Sequence, residues 1–247
     1  MSLMLSAAVL SIMVATSFLS GIFGMAGGMV LIGLLLALLP VPEAMALHAV
    51  TQIASNGWRA LLSVSHIRWR IVATYALGPL LALGVWSLIL FVPPKPVALI
   101  LLGVSPFLLK LLPRGIKADP EKPLHALVGG VASMSLMLLT GVAGPLLDAF
   151  FLSGKLDRRA VIATKAACQV LQHSLKLLYF GVLVPAAGVL DPVMAVAAVL
   201  ASMVGTWAAK PVLETMSEAT FRRWAGIIVT SMALFYIVQG TALLIWP

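Results

Sequence analysis

The chain has 247 residues, of which 62% are apolar and 10% charged, against about 25% charged in an ordinary water-soluble domain. That composition excludes a soluble globular protein. Sixteen Lys and Arg against eight Asp and Glu leave a formal charge of +8, but most basic residues sit in short connections between apolar runs, the pattern that orients a membrane protein, so nucleic-acid binding is not implied.

Cut at charges and prolines, the sequence gives apolar stretches at about 3–39, 44–65, 71–92, 97–112, 124–152, 160–184, 189–209 and 224–246. A helix crosses the hydrocarbon with about 20 residues, so 1–247 is predicted to be one all-α integral membrane domain. Residues 1–20 carry neither a basic start nor a small-residue cleavage site and are expected to stay in the membrane.

The first and fifth stretches are too long for one crossing, and each is broken by glycine, at Gly21-Ile-Phe-Gly-Met-Ala-Gly-Gly28 and at Gly141-Val-Ala-Gly-Pro145. Unwound backbone at membrane depth survives only inside protein or beside a cavity. If both stretches crossed once, the basic residues would divide almost evenly between the two faces. If both double back as helical hairpins, Arg68, Arg70, Lys110, Arg114, Lys117, Lys122, Lys155, Arg158, Arg159, Lys210, Arg222 and Arg223 share one face and Lys95 alone lies on the other. The inside bias of Lys and Arg therefore predicts two hairpins, six full spans, a cytoplasmic basic face and both termini outside. Trp69, Trp224 and Trp246 fall near span ends and read as interfacial anchors.

His48, Gln52, Ser55, Asn56 and Arg59 recur at intervals of three and four on the second stretch, as do Lys165, Gln169, Gln172, His173 and Lys176 on the sixth. Each set lies on one helical face. A charge near the bilayer centre costs about 2.5 to 3.5 kcal/mol, so such faces turn toward the bundle interior or a wet cavity. The two stripes are expected to face each other. Arg59, Lys165, Lys176 and two histidines oppose one carboxylate at that depth, Asp148, and a bound anion would complete the balance. The glycine breaks supply helix N-termini with free N–H groups, which favour oxyanions.

The expected substrate-binding set is Gly24, Gly27, Gly28, His48, Gln52, Asn56, Arg59, Gly141, Gly144, Lys165, Gln169, His173 and Lys176. Asp148 couples transport to an ion, caps the backbone after the second glycine break, or pairs with Lys165. Arg59 and Lys176 could instead snorkel to the interface, and His48 and His173 could simply pack. Cys168 is the one cysteine, so no intrachain disulfide forms, and neither metal nor cofactor is expected.

Shifted on itself by 117 positions, the chain brings Gly24, Ala26 and Gly27 onto Gly141, Ala143 and Gly144, and Gln52 onto Gln169. The same shift pairs His48 with Lys165, Ser55 with Gln172, Asn56 with His173 and Arg59 with Lys176. Two repeats follow, at about 1–117 and 118–247, each a glycine-broken hairpin plus three transmembrane helices. With an odd number of crossings beside each hairpin, the second repeat is inverted relative to the first, a recurring transporter plan.

In Gly24-Met-Ala-Gly-Gly28 followed by Pro42-Glu-Ala-Met-Ala, and again in Gly141-Val-Ala-Gly-Pro145 followed by Arg159-Ala-Val-Ile-Ala-Thr, the sequence resembles the sulfite exporter TauE/SafE family, also called the toluene sulfonate uptake permease family. It departs from the fuller pattern in its shorter first glycine run and in Pro145, which leaves the substrate open. The resemblance implies a secondary transporter, exporting sulfite or an organosulfonate across the bacterial inner membrane. Its partners are a small anionic substrate and the lipid bilayer, and a homo-oligomer is compatible with it. No GxxxxGK[ST] motif occurs, so the driving force is a gradient or the membrane potential. The alternatives are an anion channel of the same architecture or a membrane-embedded enzyme, which the residues do not favour because no nucleophile–base pair or metal-ligand spacing occurs.

Overall fold

The computed structural model describes residues 3–111, 118–152, 154, 156–184 and 191–246, and every regular element among them is helical. The opening apolar run forms α1 (Leu3–Phe23) and α2 (Met25–Leu38), parted at Gly24. Gly24 has φ 63°, a conformation that a residue without Cβ adopts freely. Its N–H closes α1 on Ser20 O at 2.9 Å, and Ser20 Oγ returns a bond to Gly24 O at 2.7 Å. α2 then doubles back: Gly27 lies against the backbone of Thr16 and Ser20 with no room for a side chain.

Pro40 caps α3 (Val41–Leu62), whose Pro42 suits a first turn that has no N–H partner to lose. α4 (Trp69–Ile89) and α5 (Lys95–Leu111) follow. Pro106 inside α5 cannot bond to Leu102 O, and the hydroxyl of Ser105 takes that carbonyl at 2.8 Å, keeping the backbone satisfied away from water.

α6 (Pro123–Thr140) ends at Gly141, φ 85°, and α7 (Gly144–Leu152) doubles back so that Phe150 lies against Gly129 and Gly154 against Pro120. Gly24 and Gly141 are the two positive-φ glycines among the described residues. Asp157 caps α8 (Arg158–Leu178) by accepting from Arg159 N and Ala160 N, each at 3.0 Å. α8 runs into a π-helical turn, Tyr179–Leu183, and α9 (Pro192–Thr215) and α10 (Glu218–Ile245) complete the bundle.

The main packed pairs are α1 with α9, α4 with α6, α5 with α10 and α3 with α8. Gly205 meets the backbone of Val14 and Phe18, and Gly78 meets that of Leu127 and Val131. Small residues that let backbones touch are the usual basis of helix association in lipid, where apolar burial alone drives little. The larger apolar core runs through α2, α3 and the helices around them, including Ile32, Leu35, Met45, Leu99 and Tyr179.

Five helices are long and apolar enough to cross a membrane, at Met4–Phe23, Trp69–Ile89, Pro123–Thr140, Pro192–Val212 and Ala219–Ile245. The protein is a multi-pass membrane protein. α3 and α8 have comparable lengths, 22 and 21 residues, but carry the polar stripes. The hairpin arms are unequal: α1 and α6 can each cross alone, whereas α2, with 14 residues, and α7, with 9, stop short. At about 1.5 Å per residue the short arms reach only about 21 and 14 Å.

Arg68 N donates to Thr164 Oγ1 at 3.0 Å near the start of α8, and the Tyr179 hydroxyl donates to Phe91 O at 2.9 Å at its other end. Following the helices from those points, Arg68, Arg70, Lys122, Arg158, Arg159, Lys210 and Arg223 gather at one end of the bundle and Lys95 lies at the other. Arg114, Lys117 and Lys155, and the side chains of Lys110 and Arg222, lie outside the described residues.

Candidate functional site

The stripes on α3 and α8 meet because the two helices pack antiparallel. The rings of His48 and His173 lie 5.5 Å apart, centre to centre. Beside them is a cavity of about 20 Å³ lined by Gly28, Met29, His48 and Gln52 from the first half and by Val142, Ala143, Gly144, Pro145, Gln169 and His173 from the second. Gly28 and Gly144 belong to the opening turns of α2 and α7, whose first N–H groups have no intrahelical partner. Two short helices thus aim their positive ends at one small space.

Hydrogen bonding fixes how His48 is held. Its Nε2 lies 2.9 Å from Gly28 O, a carbonyl that can only accept, so Nε2 carries the proton. Nδ1 then accepts from Lys176 Nζ at 2.7 Å. Lys176 is fully buried, does not line the cavity, and also donates to Gly141 O at 2.9 Å. It therefore stands behind His48 and caps the C-terminal end of α6.

Arg59 does the corresponding thing in the first half. Its guanidinium donates to Ser20 O in the last turn of α1 at 3.3 Å and to Asn56 Oδ1 at 3.2 Å. Asn56 Nδ2 in turn reaches Gln52 O at 2.9 Å and Gln52 Oε1 at 3.4 Å. With its oxygen held from behind, Gln52 can turn its NH₂ toward the cavity.

Lys165 forms an ion pair with Asp148 of α7, with side chains 18% and 28% exposed. The pair lies one helical turn beyond Gln169 toward the basic end. Gln172 turns away from the cavity and donates to Ser133 Oγ at 2.9 Å, which also meets the Tyr75 hydroxyl at 2.5 Å. His173 Nδ1 is buried with no partner. Among the described residues no group of His, Cys, Asp and Glu could hold a metal ion.

Of the expected site residues, Gly28, His48, Gln52, Gly144, Gln169 and His173 surround the cavity. Asn56, Arg59 and Lys176 support them from behind, Lys165 and Asp148 pair beside it, and Gly24, Gly27 and Gly141 shape the hairpins. The profile of the sulfite exporter TauE/SafE family matches residues 9–236, a span that takes in both hairpins and both stripes. The chain belongs to that family. No curated protein and no solved structure matches it individually. The TauE/SafE family is one of membrane transporters.

Some parts of this candidate site carry little or no signal in the residue pattern. Ser20 supports both Gly24 and Arg59, and its position four residues before the break was the available cue. Met29, Val142 and Ala143 line the cavity through their place beside the glycines, and no side-chain chemistry marks them.

Proposed function

We propose that this TauE/SafE protein is a secondary transporter that exports a small sulfur oxyanion, sulfite or an organosulfonate, across the bacterial inner membrane, with the anion bound between two inverted repeats at about 1–117 and 118–247. The observation that carries this reading is the cavity. Two helix N-termini and two glutamines, each pair related by the 117-residue shift, line it together with His48 and His173. Helix-terminal N–H groups at membrane depth, beside buried basic side chains, suit an oxyanion.

The repeat is supported by the packing. Under the shift α1 corresponds to α6 and α4 to α9, so the α1–α9 contact has its counterpart in α6–α4, while α3–α8 and α5–α10 each map onto themselves. The basic end then faces the cytoplasm and both termini lie outside. Anion exit requires no coupling ion, because an inside-negative potential favours it by about 2.3 kcal/mol per charge per 100 mV.

A cavity of about 20 Å³ has room for about one water and not for a sulfur with three oxygens. Binding therefore requires the hairpins to part, as a carrier that alternates between closed and open forms does. Asp148 acts in this reading as a tethered stand-in for the substrate: it occupies Lys165 when the site is empty and yields it to an arriving anion.

The test is counterflow of labelled sulfite in proteoliposomes, repeated with sulfoacetate, isethionate, taurine and thiosulfate. A carrier saturates and is accelerated by unlabelled substrate on the far side. Unsaturable flux without that acceleration would assign a channel, and absence of flux for every anion would remove the proposal.

A further inference from the structure

We propose that the crevice between the starts of α4 and α6, at the basic end, binds the headgroup of an anionic phospholipid with a hydroxylated head, of the phosphatidylglycerol class. The crevice has a volume of about 430 Å³, and its walls include Arg68, Trp69, Arg70, Thr74 and Glu121. It lies apart from the transport cavity, with which it shares no lining residue.

The crevice offers an arginine side chain for an anionic group to meet. Arg68, Arg70 and Glu121 all belong to its lining, and of the two arginines only Arg70 makes no ion pair with a carboxylate among the described residues, which leaves it to meet a phosphodiester. Arg68 already lies 3.9 Å from Asp157, whose carboxyl the N–H groups of Ala160 and Arg159 hold below the usual carboxylate range. The guanidinium of Arg70 is exposed and has no partner among the described residues. Ile71 N and Val72 N bond back to Arg68 O, and the N–H groups of Trp69 and Arg70, at the positive end of α4, add to the attraction. Glu121 can accept from headgroup hydroxyls, and a crevice of this size holds more than a bare phosphate.

What separates a lipid from a free anion is the surface beneath. Arg70, Thr74, Leu77, Leu81 and Leu88 follow at intervals of four, three, four and seven, one stripe of α4. Leu77 and Leu81 are each 57% exposed and Leu88 is 87% exposed. Leu124 and Val128 continue the apolar surface on α6. A cationic crevice opening onto an apolar stripe is complementary to a phosphate with acyl chains below it. Trp69, the exposed first residue of α4, lies at the level where indole rings meet headgroups.

The experiment titrates detergent-purified protein with phosphatidylglycerol, phosphatidylcholine and glycerol phosphate, reading bound molecules by native mass spectrometry. Phosphatidylglycerol is expected to be retained in preference to phosphatidylcholine, and glycerol phosphate not to be retained. Arg70→Gln, a change at an exposed side chain, should weaken phosphatidylglycerol retention about fivefold, the effect of one basic residue near a membrane surface, and leave phosphatidylcholine unchanged. Equal retention of the two lipids, retention of glycerol phosphate as strong as that of the lipid, or unaltered binding in Arg70→Gln would each overturn the proposal.

Discussion

Lys176 donates to Nδ1 of His48 at 2.7 Å across the contact between α8 and α3, joining residues 128 positions apart. The same ammonium holds Gly141 O at 2.9 Å, and His48 holds Gly28 O at 2.9 Å through its other nitrogen. One buried group thus ties the end of α6 to the start of α2.

Lys176→Met removes the donor and leaves two buried acceptors unpaired. Stability should fall by about 1 to 3 kcal/mol, read as a lower unfolding temperature in detergent, with Lys176→Gln intermediate because an amide still donates. An unfolding temperature equal to wild type in Lys176→Met would mean that the ammonium holds nothing together.

Gln52→Ala and Gln169→Ala act at the cavity itself. Each should weaken sulfite binding by about 1 to 3 kcal/mol while the protein remains folded, measured by isothermal titration. Normal binding in both variants would move the site elsewhere.

Arg59 reaches Asn56 and Ser20 through two different nitrogens, a division that a planar fork permits and a point charge does not. Sulfite flux should therefore decline from wild type to Arg59→Lys to Arg59→Gln, normalised to reconstituted protein. Wild-type flux in both variants would separate Arg59 from the alignment of Gln52.

Two glycines offer a matched pair of opposite sign. A methyl at Gly27 would strike the backbone of Thr16 and Ser20, whereas one at Gly84 meets nothing within 4 Å. Gly27→Ala should cost about 1 to 3 kcal/mol through overpacking, and Gly84→Ala should gain about 0.8 to 1 kcal/mol from helix propensity. Thermal unfolding of the two variants reads both signs, and equal shifts would contradict the tight hairpin.

Orientation can be read by cysteine labelling, since the native Cys168 is buried. Cysteines at Lys122 and Arg158 should react with an impermeant reagent only from the cytoplasmic side, and one at Lys95 only from outside. Reaction of Lys122 and Arg158 from opposite sides would break the hairpin arrangement.

The glycine breaks were legible because positive φ at membrane depth leaves few alternatives to glycine. The facing of the stripes followed from spacing, which defines the side of a helix a residue occupies. The unequal arms were not legible: from Leu3 to Leu39 the run carries no charge or proline, so nothing marks how much belongs to each arm. Nor could spacing tell that Lys176 and Arg59 stand behind the cavity, because a long side chain chooses its partner from whatever surrounds it in three dimensions. Ser20 and Gly141 O become visible as those partners only once α1 and α6 are folded against α3 and α8.

The interlocked pairing of α1 with α9 and of α4 with α6 also has a mechanical consequence. Each pair joins one helix from before position 117 and one from after it, meeting backbone to backbone at Gly205 and Gly78. Each portion of the chain alone leaves these packing faces uncovered. A polypeptide severed near residue 117 would have to assemble from both fragments at once, each giving the other a neighbour it lacks, and displacement during transport falls to the helices between these seams.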